Sequence, residues 1–234
     1  MTQYIISIII PVLNEAATIE PTLQRLQAIG GVEIIVVDGG SKDNTFDIAL
    51  ALGVKAIVVA GGRSAQMNAG ADLARGNILL FLHADTQLLP NFVNLVIQTL
   101  KRPKVIAGAF ELKIAGQQRS LRTVEILVKM RSRLFSLPYG DQAIFLTKQT
   151  FVRVGGYADL PIMEDFELIQ RLKRQGKIAI APAMVITSGR RWQKLGVWKT
   201  TLINQLVIIG YYLGISPAKL GKFYRDRGNI KGKK

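Results

Sequence analysis

Cysteine is absent from this chain of 234 residues, and histidine occurs once, as His83. The first absence excludes disulfides and thiolate metal centres, and the second excludes any site that needs two imidazoles. Acids are scarce, 16 against 31 lysines and arginines, which leaves a formal charge of +15. Long apolar runs are missing as well. The tail segment LGVWKTTLINQLVIIGYYLGI is broken by Lys199, Asn204 and Gln205. Its unbroken part, Leu206 to Leu213, falls far short of the roughly 20 residues that cross a bilayer. The opening MTQYIISIII has no basic region and runs straight into strand-like residues, so no signal peptide is expected and a cytoplasmic location follows. There are no internal repeats and no low-complexity linker.

What is present is an apolar share of 49%, enough for one large domain, or one domain with an appendage. The charge is uneven: from Gly189 onward eleven bases face one acid, Asp226. Such asymmetry calls for an anionic partner, whether nucleic acid, anionic lipid or a phosphorylated ligand.

Apolar β-branched runs alternate with helical patterns through the first hundred residues. IISIII, EIIVVD, KAIVVA and NILLFLHAD read as strands. Between the first two lies a helix with Ile19, Leu23 and Leu26 on one face and Gly30-Gly31 as its stop. This order predicts an α/β fold with a mostly parallel sheet, its binding loops at the strands' C-terminal ends. Beyond Pro103 the pattern loosens into strands around AGAFELKI, GDQAIFLTK and KIAIAPAMVITS. A basic amphipathic helix is expected over 117–135 and another helix from Glu164. The boundaries expected are 1–190 for the main domain, with a nucleotide-binding half 1–100 and an acceptor half 101–190. Residues 191–234 form a basic, partly apolar helical extension.

Several motifs fall at strand ends or helix starts. Pro11-Val12-Leu13-Asn14-Glu15 follows the first strand, where G-x-G-x-x-G would mark a nicotinamide enzyme and does not occur. Asn14 and Glu15 also suit a helix cap. Asp38 ends the second strand, where a carboxylate can accept from the ring N–H of a base. The turn Gly39-Gly40-Ser41-Lys42-Asp43-Asn44-Thr45 then lets backbone approach a ligand, or serves as an ordinary turn. Asp85 closes FLHAD as a metal ligand at a strand end would. Glu164-Asp165 opens a helix, where carboxylates are favoured by the dipole and can face a cleft.

PVLNE, VVDGGSKDNT, FLHAD and EDFELIQRLKRQGK, in this order, resemble the family 2 glycosyltransferases of the GT-A fold over most of residues 5–190. Within that family the chain looks like the small soluble branch, some members of which lie beside radical-SAM genes and are linked to arsenosugar formation. The resemblance implies a single GT-A domain that moves a sugar from a nucleotide-sugar donor, UDP-linked, to an acceptor hydroxyl with inversion. Pro11, Leu13 and Glu15 would border the nucleoside, with Asp38 at the base and Gly40 beside it. Arg63, Gln66, Asn68 and Gly70 would meet ribose and diphosphate. Asp85 matches the last acid of the family's D-x-D element, the ligand of Mn²⁺ or Mg²⁺. His83 replaces the first acid, and is open to direct ligation, a hydrogen bond to the donor, or a structural place.

Asp165 matches the general base, and Glu164 would orient it or bind the acceptor. Asp141 and Gln142 resemble an acceptor-side loop. Arg191-Trp192 keeps half of the Q-x-x-R-W element of processive relatives. The pair is equally compatible with surface charge and a core tryptophan. No nucleic-acid partner is expected, because bases and aromatics are not interleaved. An anionic membrane surface is the further partner considered. The competing reading is a non-catalytic module binding nucleic acid or an anionic membrane on the same fold.

Overall fold

The computed structural model describes residues 5–228. Residues 1–4 of the opening segment, and Lys231, Lys233 and Lys234 of the basic tail, lie outside the described residues. Isoleucine and valine fill β1 (Ile6–Val12) and β2 (Val32–Asp38), whose central residues are buried on both faces. β-Branched side chains suit such doubly covered strands. β3 (Lys55–Val58) and β4 (Ile78–Phe81) extend the parallel array on either side of this pair. Register sets Val12 beside Asp38, and Asp38 beside Val58, so the loops after β1, β2 and β3 emerge together.

The second half completes a sheet of eight strands among the described residues, in the order β3-β2-β1-β4-β7-β6-β8-β5. Here β5 is Thr86–Gln87, β6 Val105–Ile114, β7 Phe145–Thr147 and β8 Lys177–Thr187. β7 runs antiparallel to both neighbours, β4 and β6, while β6 and β8 are parallel. The sheet thus consists of two groups joined through the short reversed strand β7, and β5 closes the far edge antiparallel to β8.

Alternating side chains divide the core. Ile8, Ile10, Val36 and Leu80 pack with α1 (Ala16–Gln27), α4 (Phe92–Leu100) and α5 (Arg119–Phe135). On the other face, Ile9, Ile35, Val37 and Leu79 pack with α3 (Arg63–Leu73), α6 (Lys148–Arg153) and α7 (Glu164–Lys173). The short α2 (Thr45–Ala51) follows the turn after β2. Ile19, Leu23 and Leu26 are the buried stripe of α1, and both Gly30 and Gly31 take left-handed φ just beyond it. The tail folds into α8 (Arg190–Leu195), α9 (Val197–Tyr212) and α10 (Pro217–Gly228). Val207 and Leu220 join Met163 and Phe166 in a third small core, which ties α9 and α10 to the head of α7. Among the described residues no helix is long and apolar enough to cross a membrane.

Candidate active site

The loops after β1 and β2 are laced to each other. Asn14, at φ 55°, donates its N–H to Ser41 Oγ and accepts from the Lys42 N–H, each at 2.8 Å. Glu15 donates its N–H to Thr45 Oγ1 at 2.8 Å. Neither Asn14 nor Glu15 caps α1 with its side chain, so the capping alternative is not what the loop uses. Asp38 is 1% exposed. Its Oδ1 accepts from the Gly40 and Ser41 N–H groups at 2.7 and 2.6 Å, while its Oδ2 is buried without a partner in the chain. A buried lone oxygen is costly unless something donates to it. It is suited to a ligand N–H.

Gln66 donates from Nε2 to the carbonyls of Val12 and Val37, at 2.9 and 2.7 Å, and so clamps the ends of β1 and β2. Asn68 exchanges two hydrogen bonds with the backbone of Tyr157. Both amides brace the backbone through these bonds. Arg63 starts α3 after Gly61 and Gly62, which hold φ of 110° and 89°, and its side chain is 56% exposed. Pro11 lines a narrow space between Arg63 and His83, and Leu13 stands exposed at the turn.

Asp85 departs from the strand-end position expected for it. β4 stops at Phe81, and Asp85 lies in a turn closed by the Thr86 N–H on the His83 carbonyl at 3.0 Å. Its neighbour is Arg190, whose Nη2 reaches Glu15 Oε2 at 3.0 Å and Asp85 Oδ2 at 3.3 Å. A guanidinium therefore sits between the two carboxylates that border the donor loops. Arg190 has no distinguishing mark in the sequence beyond preceding Arg191. Among the described residues no three His, Asp or Glu side chains converge on one point. The donor set still fits a hard cation that takes one carboxylate and completes its shell with phosphate oxygens and water. The Arg190 contact shows that a positive charge is already accommodated beside Asp85. His83 is held neutral, with burial first and Arg63 second driving its pKa down to about 3.

Across the cleft, Asp165 Oδ2 accepts from the Gly140 N–H at 2.6 Å, and its Oδ1 from the Phe166 N–H at 2.7 Å. A Cβ at Gly140 would sit 3.1 Å from Asp165 Oδ2 and 3.3 Å from His83 Nε2, so this position brings backbone close to both. Glu164 is buried, with Arg63 Nη1 3.8 Å from its Oε1. Burial first and Asp165 second push its pKa up to about 7, against the pull of Arg63. Asp141 has a buried, unpartnered Oδ1, and burial raises its pKa to about 6 although Arg131 opposes the shift. Gln142, by contrast, accepts from Arg131, Ser132 and the Tyr139 N–H, and donates to the Phe110 carbonyl. It holds the 3-10 turn Gly140–Gln142 in place. Arg191 lies over the Tyr224 ring at 3.9 Å, leaving Nε and Nη2 buried without partners, as is Trp192 Nε1.

A cavity of about 190 Å³ gathers Arg63, His83, Asp141, Glu164 and Asp165, with Tyr139 and Asn204 in its wall. Asp38 and Glu15 belong to the adjoining laced loops, while Trp192 lines a second hollow beyond Tyr139 and Asp141. A larger hollow of about 390 Å³ lies by Gly30, Glu33 and Arg75 and contains none of these residues.

The model of Glycosyl transferase family 2 matches residues 7–158. A PGL/p-HBAD biosynthesis glycosyltransferase of Mycobacterium bovis is 43% identical over 97 residues, which is 38% of each chain. An uncharacterized glycosyltransferase of Rickettsia felis is 27% identical over 79% of this chain and 34% of its own length. The chain thus spans under two fifths of these curated relatives. Among solved structures, a mannosyltransferase of Pyrobaculum calidifontis in complex with GDP-Man and Mn²⁺ superposes with a TM-score of 0.67 at 18% identity. That match covers 96% of this chain and 69% of the other. Glucosyl-3-phosphoglycerate synthase of Mycobacterium tuberculosis, with Mn²⁺, UDP and its product, gives a TM-score of 0.59 at 22% identity, over 86% and 78%. At such identities the superpositions speak for the fold. The family model, which matches well over half of the chain, establishes that the protein belongs to glycosyl transferase family 2.

Proposed function

We propose that the chain transfers a sugar, with inversion, from a UDP-linked donor to an acceptor hydroxyl, with Asp165 as the general base. The observation that carries this is the meeting of Asp165 and Glu164 with Arg63 and His83 in one cavity, beside loops that leave Asp38 Oδ2 free for a base N–H. Asp165 is oriented through both oxygens by backbone N–H groups and retains lone pairs for the incoming hydroxyl proton. Glu164 shares its helix start, and burial raises its pKa, so it gives up its proton less readily than an ordinary carboxyl beside the base. Arg63 supplies positive charge to the diphosphate as negative charge grows on the leaving group. Gln66 and Asn68 support the donor side by fixing the backbone around it.

Asp85 is the residue that would hold Mn²⁺ or Mg²⁺, with Glu15 released from Arg190 to the ribose. When bound, such a cation supplies Lewis-acid neutralisation of the diphosphate. The likeness to structures solved with Mn²⁺ and GDP-Man or UDP supports this assignment. The +15 charge favours a binding module as the alternative, but a module for anions gains nothing from the carboxyls of Asp141, Glu164 and Asp165 in one cavity.

The test is thermal unfolding with a panel of UDP- and GDP-sugars, with and without Mn²⁺. A bound donor raises the midpoint as RT ln(1 + [L]/Kd). UDP-linked donors are expected to stabilise the protein only with the cation, and Asp85→Ala should remove that dependence. Asp165→Asn should retain the donor shift while transfer falls by at least about 10²-fold. Near wild-type transfer by Asp165→Asn would reject the base assignment.

A further inference from the structure

The cavity that holds Asp165 does not end at Asp141. It shares Tyr139, Asp141 and Asn204 with a second cavity of about 200 Å³. That one runs between α5 and α9, walled by Leu112, Val124, Leu127, Val128 and Arg131 on one side and by Trp192, Thr201 and Gln205 on the other. The shared junction contains two buried oxygens with no partner in the chain, Asp141 Oδ1 and Asn204 Oδ1. The slot is therefore polar where it meets the base and mainly apolar beyond, with Leu112, Val124, Leu127, Val128 and Trp192 interrupted by Arg131, Thr201 and Gln205. A sugar or a small metabolite would leave the apolar walls unused.

The surface around this slot has the same character. On α5, Ile126, Met130 and Leu134 recur every fourth residue and are more than half exposed. On α9 and at its C-cap, Trp198, Leu202, Leu206, Ile209 and Leu213 recur every third or fourth residue, and all are exposed. Two apolar stripes thus flank the slot, and Leu127, 51% exposed, stands in its wall. Basic residues lie on the same two helices and on α10, which packs against α9. Lys129 and Arg133 are paired with Glu111, but Lys199 of α9 and Lys219, Lys222 and Arg225 of α10 have no carboxylate partner among the described residues. Apolar stripes edged by unpaired bases match the interface of an anionic bilayer, in which a helix lies without crossing. A soluble protein partner would need acids placed against those bases. A membrane supplies the charge everywhere.

We propose that the acceptor is a membrane amphiphile with a hydroxyl headgroup, its hydrocarbon chain seated between α5 and α9 and its hydroxyl delivered past Asp141 to Asp165. This rests on the glycosyl-transfer reading of the site and names its substrate class. A hydroxyl is favoured over a phosphate headgroup because the carboxyls of Asp141, Glu164 and Asp165 face the reacting end, while Arg131 at the junction is engaged with the Leu137 carbonyl and Gln142. The transfer balances simply: the acceptor C–O–H becomes C–O–sugar, Asp165 takes the proton, and the nucleoside diphosphate leaves with the electrons of the broken glycosidic bond.

The chain has two tryptophans, Trp192 in the slot and Trp198 on the outer stripe, so Trp198→Phe makes Trp192 the sole indole emitter. The probe is a monoacylglycerol brominated along its chain, carried in phosphatidylglycerol or phosphatidylcholine vesicles. Expected is co-sedimentation with the anionic vesicles, and a saturable loss of Trp192 emission that unbrominated monoacylglycerol reverses. Val128→Phe and Thr201→Phe, which fill the slot from opposite walls, should abolish the quenching without releasing the protein from the vesicles. The double change Leu202→Glu, Leu206→Glu should leave it in the supernatant. Sedimentation with undiminished Trp192 emission would overturn the acceptor assignment, as would equal recovery in the supernatant with both vesicle types. The nucleotide-induced thermal shift is measured on every variant. If the wild type lacks that shift, the glycosyl-transfer reading fails and takes the acceptor with it; an intact shift without quenching removes the acceptor alone.

Discussion

Glu164 and Asp165 look interchangeable as letters, yet the fold gives them opposite environments. Asp165 takes two backbone N–H groups, while Glu164 is buried beside it with Arg63 at 3.8 Å. Because burial lifts the folded pKa of Glu164 from 4.5 to about 7, the folded chain holds that proton more tightly than the unfolded one. The resulting stability is complete below pH 4.5 and drains as pH rises to about 7. Glu164→Gln keeps the neutral shape and cannot ionise. Its thermal midpoint should match the wild type near pH 4.5 and exceed it at pH 8, where each kcal/mol is worth about 2–4 °C in a chain this size. Equal midpoints at both pH values would show Glu164 ionising without cost. The contributions of His83 and Asp141 are common to both proteins and cancel in the comparison. Roles of this kind were only partly legible in the sequence. Asp38, Asp85 and Asp165 could be marked because each follows a strand or opens a helix. Gln66, Asn68 and Gln142 carry the same polar marks, yet Gln66 and Asn68 bond backbone groups up to 89 residues away and Gln142 joins backbone and side-chain partners, which no local pattern reveals. The choice between Arg190 and Arg191 is not legible in the sequence, because a one-residue difference on a short helix decides which guanidinium reaches Glu15 and Asp85.

At the level of elements, the β-branched runs and glycine stops made β1, β2, α1 and α7 readable in advance. What remained hidden was where pairing stops. NILLFLHAD reads as one strand, but β4 ends at Phe81, and the chain turns so that Asp85 faces Arg190. The turn is set by tertiary contacts: Thr22 Oγ1, in the middle of α1, donates to the Ala84 carbonyl at 2.7 Å. Close packing of α3 is a second such contact, and it sets where Arg63 stands. A Cβ at Gly70 would come within 2.5 Å of Ile9 Cγ2 and 3.1 Å of Val37 Cγ2, both in fully buried residues. Gly70→Ala gains about 1 kcal/mol of helix propensity. Overpacking in a filled core costs about 1–3 kcal/mol. The overlap should win, and urea unfolding should show a net loss of stability with weaker nucleotide binding as α3 shifts. A stabilised variant would mean that Ile9 yields and the packing is looser than its geometry indicates.

The whole molecule is organised around a reversed strand. β1 to β4 come from the first 81 residues and pair with one another; β6 and β8 pair across a longer stretch. Only the three residues of β7 link the two groups in the sheet. The site straddles that link, with Asp38 and Asp85 on one side and Gly140, Asp141 and Asp165 on the other. Time therefore enters the description. The early strands can pair through short crossovers, whereas β4 must wait for a partner some 65 positions later, and loop closure over such distances slows folding. Refolding from urea should recover most of its far-ultraviolet signal before it recovers nucleotide binding, and Leu146→Ala in β7 should widen the interval. Simultaneous recovery of both signals would mean that the two groups assemble as one. The seam thus acts as a checkpoint in the life of the chain: the acids on its two sides meet only once the whole sheet has been threaded, so a half-folded molecule cannot present an active centre.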